Sequence, residues 1–167
     1  MYDLATPQRD VHAIHGNFQQ AIGAMEDIRQ TVKAEALRLR DEYLAAAKER
    51  AGGKIIYRLI DVRDNGKGSM SIVWCKVFFY DVPGNKKRQG RLPISKGQGP
   101  LYAPGLVTRG MDHWFVELFQ LYEPQLAVLR DQMLYASKIR KLLVQQQRKA
   151  QSSMPRSPLA FPETGVA

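Results

Sequence analysis

Up to residue 16 the hydrophobic and polar positions follow no period, and Pro7 and Gly16 are breakers, so residues 1–16 read as an irregular N-terminal arm. From Asn17 the pattern turns helical. The Asn17 side chain can accept from the free backbone amides of a first turn. Phe18, Met25, Val32, Leu39 and Ala46 then recur every seven residues, with Ile22, Ala36 and Tyr43 between them and Arg29 as an interruption. That spacing predicts one apolar stripe along a helix of about nine turns. Gly52-Gly53 ends it, because glycine accepts the left-handed backbone past a helix terminus.

The period then falls to two. Residues 54–62 read as a strand, and Asp64-Asn65-Gly66-Lys67-Gly68 as a hairpin turn. Met70 to Tyr80 is the strongest strand pattern. Ile72, Trp74, Phe78 and Tyr80 fall on one face, and Val73, Cys75, Val77 and Phe79 on the other. Both faces are apolar, which predicts a central strand covered by a helix on at least one side. Pro83-Gly84-Asn85 starts the next turn, and residues 88–95 make a shorter edge strand, since Pro93 cannot donate to a ladder.

Residues 96–110 are rich in glycine and proline and read as a loop anchored by Leu101 and Tyr102. A second long helix is predicted from Met111 to Lys149. Phe115, Phe119, Tyr122, Leu126, Leu129, Met133 and Ala136 step by four and three, the seam of a helix packed along another helix. Pro124 removes one backbone hydrogen bond from it and should kink or divide it. Residues 150–167, with Pro155, Pro158 and Pro162, read as a disordered Ser/Pro-rich tail. The expected fold is a single α+β domain over 17–149: a long N-terminal helix, a three-stranded antiparallel meander and a long C-terminal helix, packed together.

Composition adds limits. A chain of 167 residues with 44% hydrophobic content suits one packed domain. The single cysteine, Cys75, allows no intramolecular disulfide and no four-cysteine zinc site. The first residues lack the pattern of a signal peptide, and no run approaches a membrane span, so a soluble, cytoplasmic protein without a membrane partner is expected. The formal net charge is +9, and it is unevenly spread. Residues 54–110 hold 11 basic against 3 acidic side chains, and residues 130–150 hold 6 against 1. Concentrated positive charge attracts polyanions, because each neutralised phosphate releases counterions. A solvated, solubilising face is the plainer explanation of either run taken alone.

Candidate catalytic chemistry is sparse. His12 and His15 share a helical spacing, but His113 is the only further histidine, so solvated or capping roles outweigh a metal site. Cys75 lies in a core strand and suits a small buried hydrophobe. Lys96-Gly97-Gln98-Gly99 is too short for a phosphate loop, and no serine has a nucleophile-elbow context. Asp112, Glu117 and Glu123 do not share a helical face, and acidic residues suit the start of a helix in any case. A non-enzyme without cofactor or metal is therefore expected.

The informative cluster is Lys86, Lys87, Arg88, Arg91 and Lys96, on a turn, the edge strand and the loop that follows, with Arg109 further along that loop. Arg88 and Arg91 point to opposite faces of a regular strand. Such a hairpin can lie across nucleic acid, with lysines on phosphates and arginines able to read guanine edges. Tyr80 and Tyr102 flank the cluster and can stack on bases, although aromatics on a sheet are more often core. A second basic run, Lys138, Arg140 and Lys141, offers another contact or simply a favourable charge near a helix C-terminus.

The order of motifs carries a resemblance. A long helix leads into Ser71-Ile72-Val73-Trp74, then the basic turn Gly84-Asn85-Lys86-Lys87-Arg88, then Ile94-Ser95-Lys96-Gly97 and Tyr102-Ala103-Pro104-Gly105. A closing helix begins at His113-Trp114 and runs through Glu123-Pro124-Gln125-Leu126-Ala127-Val128-Leu129-Arg130. Over residues 18–145 this resembles the MobI-type auxiliary transfer proteins of conjugative plasmids and integrative conjugative elements. The resemblance implies a role in starting DNA transfer at the origin of transfer, alongside a relaxase that does the nicking. It carries over no catalytic residue. The alternative is a helical scaffold that forms a homodimer or binds a partner protein without nucleic acid. The stripe Phe18, Met25, Val32 and Leu39 separates the two, because an exposed stripe needs a partner.

Overall fold

The computed structural model describes residues 7–65, 70–84 and 86–152, with the backbone alone for 7–12. The order is α1 (Pro7–Ala51), β1 (Arg58–Asp64), β2 (Met70–Val82), β3 (Lys86–Pro93), α2 (Pro104–Val107) and α3 (His113–Ser152). The strands form one antiparallel sheet in the order β1-β2-β3. The expected α+β arrangement is the one that forms.

Several boundaries differ. Helix α1 begins at Pro7 rather than Asn17, so most of the expected irregular arm is helical. Proline suits a first helical turn, where its missing N–H has no partner to lose. Gly16 inside the helix costs only about 1 kcal/mol relative to alanine, which cooperative extension can absorb. Strand β3 starts at Lys86, because Lys86 already pairs with Val82. Helix α3 runs through Pro124 undivided. Proline removes one ladder bond there, and buried Phe119, Tyr122 and Leu126 hold the helix on both sides. Residues 66–69 of the first turn, Asn85 of the second and the tail beyond Ser152 lie outside the described residues.

Helices α1 and α3 form an antiparallel pair. The rings of Tyr43 and Tyr122 meet edge to face at 5.7 Å, and Arg50 pairs with Glu117 at 3.2 Å. Further along, Met25 and Ile28 face Tyr135 and Ile139 across an open groove of about 570 Å³. All seven seam residues from Phe115 to Ala136 are buried. On α1 the register moves into Val32, Ala36, Leu39, Tyr43 and Ala47, which are buried, while Phe18 and Met25 are half-buried. The stripe is thus largely taken up inside one chain.

The sheet meets this pair through β2. Trp74, fully buried, packs edge to face on Tyr43 at 5.1 Å and on Phe115 at 5.9 Å, and lies tilted on Phe119 at 5.5 Å. Its indole Nε1 donates to the Glu123 carboxylate at 2.7 Å. Glu123 also accepts from the Tyr102 amide at 2.7 Å and from both terminal nitrogens of Arg130 at 2.8 and 3.1 Å. Arg130 reaches further, donating to the carbonyls of Ile72 and Pro100, each at 2.8 Å, and lying 4.8 Å above the Tyr102 ring.

Two expectations change here. Glu123 is not a dipole-favoured surface carboxylate but a 3% exposed group paired with an Arg130 side chain that is 7% exposed. Tyr102 cannot stack on a base. It is buried, with its hydroxyl donating to the Ile94 carbonyl at 3.2 Å.

Removing one partner of a buried ion pair strands the other charge, at a cost of about 3–5 kcal/mol. Arg130→Met is therefore expected to lower stability by about that amount in urea unfolding followed by circular dichroism. The double variant Glu123→Gln/Arg130→Met buries no charge and keeps an acceptor for Trp74, and it should regain part of the loss.

Candidate nucleic-acid interface

Strand β1 has seven residues and β2 has thirteen. Their last ladder pair is Arg58 with Lys76, and one more bond joins the Val77 amide to the Tyr57 carbonyl at 2.9 Å. Beyond that point, among the described residues, β2 pairs only with β3, so residues 78–82 and 86–90 make a two-stranded arm. Pro83 and Gly84 begin its turn, and Gly84 takes the left-handed backbone at φ 93°. Helix α1 has already ended at Ala51.

Residues directly opposite in an antiparallel pair share a face. The register puts Lys76, Phe78, Tyr80, Lys86, Arg88 and Gly90 on one face. The other face carries Val77, Phe79, Asp81, Lys87, Gln89 and Arg91. Arg88 and Arg91 therefore point opposite ways, as their spacing implies.

The aromatic run was expected to lie in a covered central strand. Only the first half of β2 is covered. Ile72, Trp74, Cys75 and Val77 are buried, but Phe78, Phe79 and Tyr80 are 46%, 44% and 45% exposed. The rings of Phe78 and Tyr80 lie side by side, centroids 6.0 Å apart and planes 36° apart. The Phe78 ring rests across Gly90, where an added Cβ would come within 2.3 Å of its edge carbon. Sequence reasoning missed this platform. The available signals were the length mismatch between the first two strands and an unexplained glycine within the third.

Lys86, Lys87, Arg88 and Arg91 are exposed, and none makes an ion pair within 4 Å among the described residues. The arm gathers Lys86, Lys87 and Arg88, and at its root stand Arg91 and Lys76, the last passed over by the sequence reading. Lys96 lies elsewhere. Its Nζ donates to the Gly99 carbonyl, and it lines a hollow of about 500 Å³ with Ser71, Ile72 and Arg130. From Ile72 to Tyr80, which sits opposite Arg88, is eight strand residues, about 26 Å. Arg109 is exposed on the turn after α2, a segment tied to β1 by Arg58 Nε donating to the Val107 carbonyl at 3.0 Å.

Lys138, Arg140 and Lys141 sit on α3 past Arg130, which reaches the start of β2, whereas the arm leaves from its end. Lys138 lies 5.5 Å over the Tyr135 ring. Arg140 is half-buried and acts on Glu26 of α1. The Glu26 carboxyl is held below its usual range, first by the hydrogen bond from Arg29, then by that from Gln30, with smaller help from the charges of Arg29 and Arg140. This second run therefore serves helix pairing as well as presenting charge.

Other chemistry is muted. Burial is the main cause raising the Cys75 thiol pKa, with Asp61 beside it at 3.9 Å adding to the shift. Among the described residues no three histidine, cysteine or acidic side chains group to hold a metal ion, and no helix is long and apolar enough to cross a membrane.

Gly90→Ala should displace the Phe78 ring and destabilise the protein by about 1–3 kcal/mol, as overpacking does. In a Phe78→Ala background the same change should cost less than about 0.5 kcal/mol, so a double-mutant cycle in urea isolates the contact.

The comparisons with known proteins agree with the motif order. Neither curated proteins nor solved structures give a match. A family model described as MobI protein matches residues 32–144, spanning the second half of α1, the whole sheet, α2 and most of α3. With that share of its length inside one family model, the chain belongs to the MobI family.

Proposed function

We propose that this chain is a non-enzymatic accessory factor that binds DNA at the origin of transfer and helps a separate relaxase start conjugative mobilisation. Family membership ties it to mobilisation. The observation that supports DNA contact is the arm and its root, where Lys86, Lys87 and Arg88, then Lys76 and Arg91, stand exposed on β2 and β3 with Asp81 as the only carboxylate of those two strands. A protruding basic ribbon brings cations to phosphates without requiring the rest of the domain to fit the duplex. Strand cleavage is left to the relaxase, and this chain supplies binding and positioning.

The scaffold alternative drew on an unoccupied stripe along α1. Val32 and Leu39 are buried within the chain, which takes away half of that support, while Phe18 and Met25 stay half-buried.

Anisotropy titrations against labelled DNA at several salt concentrations test the reading. Binding should weaken steeply with salt. Lys86→Ala/Lys87→Ala should lower affinity for every sequence and reduce the magnitude of the log–log salt slope by about two. Loss of affinity with an unchanged slope would argue against phosphate contact by these lysines.

A further inference from the structure

We infer that the Phe78–Tyr80 face of the arm takes the unpaired bases of single-stranded DNA, while Lys76, Lys86 and Arg88 on the same face hold its backbone. This deepens the DNA-binding reading above and rests on it.

Three observations carry the inference. Phe78 and Tyr80 are neighbouring, half-exposed rings on one face of a ribbon. Exposed rings in a row are what stacking requires, since every base has a π-face and stacking tolerates any sequence. Gly90 then lets the Phe78 ring lie against the strand, so one ring face is spent on backbone and the other is turned outward. A side chain at position 90 would tip that ring away.

Charge is also sorted between the two faces. The ring face holds Lys76, Lys86 and Arg88 and no carboxylate, whereas Asp81 lies on the opposite face with Lys87 and Arg91. A polyanion that must also place its bases on the rings is matched by the first face and partly opposed on the second.

Duplex reading fits this face less well. A β-ribbon can enter the major groove, but base edges are then read by donors and acceptors such as arginine, asparagine or glutamine. Arg88 on this face can read an edge, but Phe78 beside it offers neither donor nor acceptor, and bases inside a duplex present edges to a groove, not faces.

The test compares one mixed-sequence oligonucleotide as a single strand, as a duplex and as an abasic single strand of equal length. The full chain is used, and circular dichroism confirms the fold of each variant. Tyr80→Ala should weaken single-strand binding by about tenfold with the salt slope unchanged, and duplex binding by far less. Tyr80→Trp should keep wild-type affinity, and Phe78→Leu should repeat the loss without emptying the contact over Gly90. The abasic strand should bind the wild type about tenfold more weakly than the intact one. Equal affinity for abasic and intact strands, or equal loss on single strand and duplex with Tyr80→Ala, would overturn the inference. Duplex binding without single-strand binding would overturn it and leave the DNA-binding reading standing. If the folded wild type binds neither form at low salt, the DNA-binding reading itself fails.

Discussion

The fold turns on one carboxylate. Taking a carboxylate and a guanidinium out of water costs several kcal/mol each, and their attraction offsets that only if the remaining lone pairs and protons are also satisfied. Glu123 meets the condition, since its two oxygens receive four donors from a tryptophan, a backbone amide and Arg130. Arg130 meets it by spending its other protons on the carbonyls of Ile72 and Pro100. The network therefore fixes three things at once: the height of β2 on the helix pair, the path of the loop through Tyr102, and the register of α3. An apolar substitute could fill the space, but it would not tie β2 and the loop to the same turn of α3.

That anchoring has a mechanical result. Trp74 is held at the core, and only a few residues further on the same strand leaves cover. The arm thus extends from a strand anchored in the core by Trp74 and its bond to Glu123. Its root is rigid, and its outer part is held by pairing with one neighbour strand. Helix pairing, in contrast, is spread over a long seam, and the ion pair across it, Arg50 with Glu117, is exposed and of small individual worth.

Much of the fold was legible because periodicity reports burial directly. The seam from Phe115 to Ala136 and the strand containing Ile72 and Trp74 are patterns that only a packed interior sustains. The start of α1 was less legible because Pro7 and Gly16 are breakers in isolation, while a long helix tolerates both. Glu123 and Tyr102 were misjudged for a different reason. Whether a carboxylate or a tyrosine is buried depends on partners distant in sequence, here Trp74 and Arg130, and no local spacing encodes that meeting. The aromatic platform was hidden by the same rule that found the core: an apolar two-faced strand predicts cover, and the rule does not say where cover stops. The basic residues of the arm were visible as a cluster, but only the register could separate Lys86 and Arg88 from Lys87 and Arg91, or move Lys96 away from both.

Strand β3 lies at the edge of the sheet, and among the described residues no strand pairs with its outer side. An edge of this kind, next to three exposed aromatic side chains, is a template for sticking to a second copy of itself. Lys86, Lys87, Arg88 and Pro93 sit along that edge, and like charges facing each other across two such edges repel. The exposed cations of the arm thus also oppose edge-to-edge pairing of two copies. Without that charge, an unpaired edge beside exposed aromatic side chains would have less to oppose self-association.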